Sequence, residues 1–354
     1  MAHAAELPRN GSAAQSGDTS TASAPGHVSS RYLLSLFAGL FGALTLFCMT
    51  LLSLDRTGNL PPPAFSNNLC VDEKLNFMRS NRIESPNLLV IGSSVAWRHV
   101  DSSVLAQALP EVRPMNGAFC GLFANQSTYV AHWLLDREPS IRSVVMIADP
   151  QDFAGCWKVP TAVFSREHVD PYVYQGASRW GYYMRYFSPK SLARNALTVK
   201  AQRAGQIEWD PLVFNRFGDG PLVTSNTRKL LYGRPDALDR SCFAALQQMS
   251  VRLKEEGRQL IVVSTPLHPQ WKEKYDPDGT FLADFDRRIL DSLGVSGTYW
   301  NADKDWATPV TSFVDAVHMR WSAVQQFSAA LAEQISKAAT GPAPATALET
   351  ARVP

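Results

Sequence analysis

The chain has no excess of charge. Thirty-four Lys and Arg stand against 32 Asp and Glu in 354 residues, for a formal net charge of +2. That balance asks for no nucleic-acid partner, and no basic stripe interleaved with aromatics is read from the sequence. Cysteine is scarce, five in all, and the spacing matches no zinc site, so no metal is expected. No internal repeat is visible. Residues 1–31 have almost no large apolar side chain and cannot bury enough surface to fold, so a disordered tail is expected there. Residues 339–354 read the same way. Tyr32 to Leu54 contains no charged residue, which is about the length needed to cross a ~30 Å hydrocarbon core. No small-residue cleavage site follows, so an uncleaved anchor over 32–54 is expected rather than a signal peptide. Lys and Arg are few on both sides. A short polar tail before a large body favours a cytoplasmic N-terminus, a single pass through the inner (cytoplasmic) membrane, and an extracytoplasmic, periplasmic body.

What the chain does have is a series of short apolar runs alternating with helical patterns. Residues 55–84 read as linker and lead-in: three consecutive prolines make a stiff spacer of Thr57–Phe65, and a short helix follows over Leu69–Arg82. Asn87 to Ile91 is a strand buried on both faces. It stops at Gly92, which permits backbone conformations other residues resist, and delivers Ser93 and Ser94 to its end. Asp101 caps a helix reaching Leu109 and ended by Pro110. Val112–Met115 is a second strand, placed near an edge by Pro114. A helix over Gln126–Arg137, a strand over Ser143–Ala148, a helix over Asp236–Glu256 and a strand over Gln259–Ser264 follow. The series closes with a helix over Phe281–Leu293, a strand over Thr298–Asn301 and a helix opening on the box Ser322-Ala323-Val324-Gln325. The alternation predicts a three-layer α/β/α domain over 85–338 with a mostly parallel sheet. Residues 153–235 interrupt it, and are expected to form an inserted cap. Its rings (Phe153, Trp157, Phe164, Tyr172, Tyr174, Trp180, Tyr182, Tyr183, Tyr186, Phe187) either stack on sugars or form a small core of their own.

Cys48 lies in the anchor. Cys70, Cys120, Cys156 and Cys242 lie outside it, an even number that allows disulfides if the body faces an oxidising space. Cys120 could meet Cys156, since both would follow neighbouring strands. Four separate thiols are the alternative.

Acyl transfer needs a nucleophile, a base, a group that orients the base, and donors for an oxyanion. Ser94, at a strand end and the start of a helical turn, suits the first role. His318 suits the second, because its ordinary pKa lies near working pH. Asp315, three residues earlier on a turn, can fix the imidazole tautomer. His99, His132 and His268 offer no partner in the sequence and are read as structural.

Three blocks carry a resemblance: Gly92-Ser93-Ser94 near the start, Asn116-x-x-x-x-Gly121 after the second strand, and Asp315-x-x-His318 near the end. In this order the chain resembles the SGNH (GDSL-type) hydrolases. The resemblance implies a flavodoxin-like sheet, Ser94 as nucleophile, the backbone N–H groups of Ser94 and Gly121 as oxyanion donors, and Asp315 and His318 completing a triad. Two positions depart from the family: Ser93 stands where Asp is usual, and Ala148 to Asp152 lacks the Asn whose side chain lies in the oxyanion hole. Gln151 could supply an amide there; an ionised Asp149 would repel the oxyanion. The anchor, Gly-Ser-Ser and Pro-x-His-Pro together resemble the envelope branch associated with O-acetylation of exopolysaccharides and cell-wall polymers.

The expectation is therefore a membrane-anchored serine esterase or O-acyltransferase, acetyl being the acyl group, acting on an extracytoplasmic polysaccharide through an acyl-enzyme on Ser94 and without cofactor. The alternatives are a lipase or thioesterase taking acyl esters from the membrane, and a degenerate scaffold in an envelope-polymer biosynthesis complex.

Overall fold

An apolar stretch without a single charge has no stable conformation in lipid other than one that satisfies its own backbone. In the computed structural model, which describes residues 29–66, 68–294 and 297–340, it forms helix α1 (Ser30–Arg56). Its 27 residues extend about 40 Å, long and apolar enough to cross a membrane. Most of the two expected tails, 1–28 and 341–354, lies outside the described residues. The final helix runs on to Thr340. The chain divides into two units, one ending at Gly58 and one beginning at Asn59. The second holds every strand found among the described residues.

That unit opens on the proline run, which is packed rather than a free spacer. Leu60 and Phe65 are buried. The Tyr183 hydroxyl donates to the Pro61 carbonyl at 2.6 Å, and the Phe65 ring sits 4.7 Å from Tyr172 and 4.9 Å from Tyr182. Prolines have little backbone freedom to lose, so ordering them against a surface costs less than ordering other residues.

Beyond it come α2 (Leu69–Ser80), β1 (Leu88–Ile91), α3 (Ser94–His99), α4 (Ser102–Ala108), β2 (Pro114–Asn116), α5 (Ala124–Arg137) and β3 (Ser143–Ala148). Two short 3-10 turns then lead into the insertion, with α6 (Arg166–Tyr174), α7 (Trp180–Arg185) and α8 (Pro189–Arg203). The series resumes with α9 (Arg240–Glu255), β4 (Gln259–Ser264), α10 (Pro269–Tyr275), α11 (Thr280–Leu293), β5 (Thr298–Asn301), α12 (Ala302–Asp305) and α13 (Trp321–Thr340). The last helix begins one residue before Ser322, so the expected capping serine lies inside its first turn.

The five strands among the described residues are all parallel, in the order β2-β1-β3-β4-β5. Side chains alternate between two cores. Leu89, Ile91, Val144, Met146, Leu260 and Val262 face α5, α9 and α11. Leu88, Val90, Val145, Ile147, Ile261 and Val263 face α3, α4 and α13. Continuous apolar strands are what burial on both faces requires. The winding is the flavodoxin-like one, and its order reverses between β1 and β3. A crevice opens at the carboxyl ends of those two strands, where Ser93-Ser94 and Asp149 emerge. Pro114 opens the edge strand, where its missing N–H does least harm.

The insertion has two halves. The helical half packs on α2, with the Tyr172 hydroxyl donating to Asn76 Oδ1 at 2.8 Å. Phe153, Phe164, Tyr172 and Tyr183 are buried, so much of its aromatic content is core. The other half, between Arg203 and Arg240, has no regular element. Asp219 pins it by accepting from the Ser102 N–H and hydroxyl, both at 2.8 Å, and from Asn116 Nδ2 at 2.9 Å.

The four cysteines of this unit form Cys70–Cys120 and Cys156–Cys242, so the expected meeting of Cys120 with Cys156 is wrong. Those two residues follow β2 and β3, and β1 lies between these strands.

Candidate active site

Ser94 owes its position to a backbone turn only glycine can make. Gly92 has φ +138°, and a Cβ there would lie 2.6 Å from Ala96 Cβ and 2.7 Å from the Ile147 carbonyl oxygen. The chain therefore turns sharply off β1 into α3. Ser93 caps that helix, its Oγ accepting from Val95 N–H at 3.3 Å. Ser94 follows as the first helical residue.

The strand ends bring Ser94 to His318 across 224 residues, with Oγ 3.0 Å from His318 Nε2. His318 Nδ1 lies 3.1 Å from both carboxylate oxygens of Asp315. Asp315 Oδ1 also accepts the N–H of Val317 at 3.0 Å and of His318 at 2.8 Å. Burial works to raise the Asp315 pKa. The hydrogen bond and charge of His318, with those two backbone donors, outweigh it and hold the carboxyl well below the usual range. An ionised carboxylate only accepts, so Nδ1 carries the imidazole proton. Nε2 is then free to accept from the Ser94 hydroxyl.

Two supports for this chain were not legible in the sequence. Arg228, from the irregular half of the insertion, donates from Nε to Asp315 Oδ2 at 3.0 Å and reaches Asp210 Oδ2 with Nη1 at 3.0 Å. Fully buried His99 accepts the Met319 N–H on Nε2 at 2.9 Å, so its Nδ1 donates to Thr265 Oγ1, 2.7 Å away. Burial, and then the neighbouring His318, push the His99 pKa well down. Read as structural for want of a partner, His99 proves to fix the backbone next to His318. His268 caps α10, accepting from Gln270 N–H at 3.1 Å. His132, on α5, does not line the cavity.

Ser94 and His318 open into a cavity of about 270 Å³ shared with Gly121, Phe123, Asp149, Gln151, Asp152 and Tyr232. Gly121 holds φ +70°, so its loop depends on a left-handed turn. Asn116 of the same block is structural: its Oδ1 accepts Ala118 N–H at 3.1 Å and its amide holds Asp219. None of the insertion's aromatic rings from Phe153 to Phe187 lines this cavity; Tyr232 does, its ring 5.7 Å from that of His318. One N–H of the Gln151 amide donates to the Gly233 carbonyl, which holds this side chain at the cavity wall.

The carboxyls after β3 are the unusual feature. Asp149 caps the turn, Oδ1 accepting from Gln151 N–H at 2.7 Å, while Oδ2 is buried with no partner. Burial, and then the charges of Asp315 and Asp303, push its pKa up to about 7. Burial and the nearby Asp149 raise Asp152 well above the carboxylate range, opposed by a hydrogen bond with Ser93. Below its pKa Asp149 is neutral and adds no negative charge beside Ser94, and burial favours the same protonated form in Asp152. No protein-family model matches the chain, and no characterised protein is recognisably similar to it in sequence.

Proposed function

We propose that this chain is a membrane-anchored serine esterase or O-acyltransferase of SGNH type, transferring a small acyl group, acetyl, from or to an extracytoplasmic polysaccharide. The observation that carries the reading is the hydrogen-bonded series Ser94, His318, Asp315 at the β1/β3 crevice. Ser94 Oγ attacks the ester carbonyl carbon while His318 Nε2 takes its proton, and Asp315 stabilises the imidazolium. The backbone N–H groups of Ser94 and Gly121 receive the oxyanion. The intermediate collapses, and His318 passes the proton to the leaving alkoxide. The acyl-Ser94 ester is then attacked by water or a sugar hydroxyl, which gives its proton to His318. Collapse breaks the Ser94 ester, and His318 returns the proton to Oγ. These steps need no metal and no organic cofactor.

The small cavity with two carboxyls on its wall favours a short acyl group over the apolar tunnel a lipase or long-chain thioesterase requires. Two disulfides and an N-terminal helix able to span a membrane favour an extracytoplasmic body.

One observation favours the scaffold reading. Asp149 and Asp152 stand where the family resemblance implies a donor amide, and losing such a donor costs ~10²–10³ in rate in a well-studied protease.

Fluorophosphonate labelling of the full chain in detergent tests the proposal. Labelling of wild type, but of neither Ser94→Ala nor His318→Ala, is expected. A folded wild type that does not label would turn the assignment to a scaffold. Labelling that persists in Ser94→Ala would displace Ser94 as nucleophile.

A further inference from the structure

The helical half of the insertion carries a surface that the Ser94 cavity does not use. From Pro171 to Ile207 there is no Asp or Glu, but six cations: Arg179, Arg185, Lys190, Arg194, Lys200 and Arg203. The rest of the chain then holds 28 Lys and Arg against 32 acids, so the near-neutral total conceals a segregated basic stretch. This corrects the sequence-based expectation that no basic stripe interleaved with aromatics is present. The fold sorts the segment by face. On α8, Asn195, Ala196 and Val199 are buried, while Lys190, Arg194, Leu197 and Lys200 are exposed, at the spacing of one helical face. Leu197 is 70% exposed. On α7, Tyr183 is buried, while Trp180, Met184 and, just past its end, Phe187 are exposed.

Exposed aromatic and aliphatic side chains among cations, with no acid in the run, match the boundary between anionic headgroups and acyl chains. Tryptophan is enriched at that depth. An acidic polysaccharide would also meet the charge. It gives no reason for the exposed aliphatics Met184 and Leu197, and none of these residues lines the cavity that holds Ser94. Connectivity points the same way. Tyr183 bonds the carbonyl of Pro61, and only two residues separate Pro61 from Gly58, where the unit containing α1 ends.

We propose that the α7–α8 strip is a lipid-facing surface that rests on anionic headgroups of the bilayer holding the N-terminal helix. The inference rests on α1 being a membrane anchor.

The test uses the full chain in nanodiscs of phosphatidylcholine alone, and of phosphatidylcholine with about one third phosphatidylglycerol. Amide hydrogen exchange is followed by mass spectrometry. In the anionic discs, peptides covering 180–203 should exchange more slowly, by about fivefold per engaged cation, and high salt should reverse the effect. Lys190→Glu/Arg194→Glu/Lys200→Glu should abolish the difference while β3 and β4 keep their protection, which establishes that the variant is folded. Equal exchange of 180–203 in both discs overturns the proposal. So does protection that arises only on adding an acidic polysaccharide to phosphatidylcholine discs, which would make the strip a glycan surface. A chain that enters neither disc overturns the anchor itself, and is recognised before any exchange is measured.

Discussion

Arg228 binds Asp315 through Nε at 3.0 Å, although the two residues lie 87 positions apart and on opposite sides of the domain's last two strands in sequence. The same guanidinium holds Asp210, and its backbone N–H donates to the Val314 carbonyl at 2.8 Å. The insertion thus fastens the loop that presents His318.

Arg228→Ala should therefore loosen the site without touching substrate. The guanidinium is partly solvated, so the expected loss is about 1–3 kcal/mol of stability, read from denaturant unfolding. Fluorophosphonate labelling should slow by roughly tenfold, since misplacing reacting groups by about 1 Å can cost more than that. Arg228→Lys should recover little, because a single ammonium cannot reproduce the fork that spans Asp315 and Asp210. Unchanged labelling in Arg228→Ala would make the contact incidental.

His99→Ala should leave the Met319 N–H and the Thr265 hydroxyl buried without their partner. Each orphaned group costs about 1–3 kcal/mol, and the His318 loop should lose order. His99→Gln, which keeps one acceptor and one donor, should be milder. Equal thermal midpoints for the two variants would count against this role.

Asp149 gives a pH dependence with a definite sign. Its folded pKa, pushed up to about 7 by burial, exceeds the value of about 4 expected in the unfolded chain. The native state therefore holds this proton more tightly. The stability that goes with it is fully present below pH ~4 and is lost as pH rises toward ~7. Asp149→Asn keeps a capping side chain. It should raise the thermal midpoint at pH 8 and change it little at pH 4. Wild-type labelling should also fall as pH rises through ~7, as negative charge develops beside the oxyanion, and the Asn variant should lose that fall. Parallel profiles for the two proteins would mean that Asp149 does not act on the site.

Cys156–Cys242 closes a separation of 86 residues and Cys70–Cys120 one of 50. In the chain-entropy account each stabilises by about 4 kcal/mol. The first also clamps the turn carrying Asp152 onto α9. Cys156→Ala/Cys242→Ala should lower both the thermal midpoint and the labelling rate. Cys70→Ala/Cys120→Ala should lower both as well, because Cys120 immediately precedes Gly121, an oxyanion donor in the proposed reaction. Unchanged labelling in this second pair would mean that the bridge does not position Gly121.

Local physics made much of the chain legible in advance. Short apolar runs bounded by turn residues read as doubly buried strands, so β1, β3 and β4 are legible with their helices. The order of Ser94, Asp315 and His318 along that alternation put all three at carboxyl ends of strands. A charge-free run of 23 residues, Tyr32 to Leu54, could only be a long apolar helix. What stayed hidden was whatever depends on which strand lies beside which. A pairing of Cys120 with Cys156 requires β2 and β3 to be neighbours, and β1 lies between them. Arg228 and Tyr232 come from a stretch with no periodicity, and only the tertiary path of that stretch carries them to His318. The partners of His99 lie 166 and 220 residues away, beyond any spacing rule. Whether Asp149 is charged depended on burial, a property of the assembled crevice and not of its neighbours in the chain. Sequence patterns report the local periodicity that forms helices and strands. Contact, burial and protonation belong to the packing, and only the tertiary structure decided them.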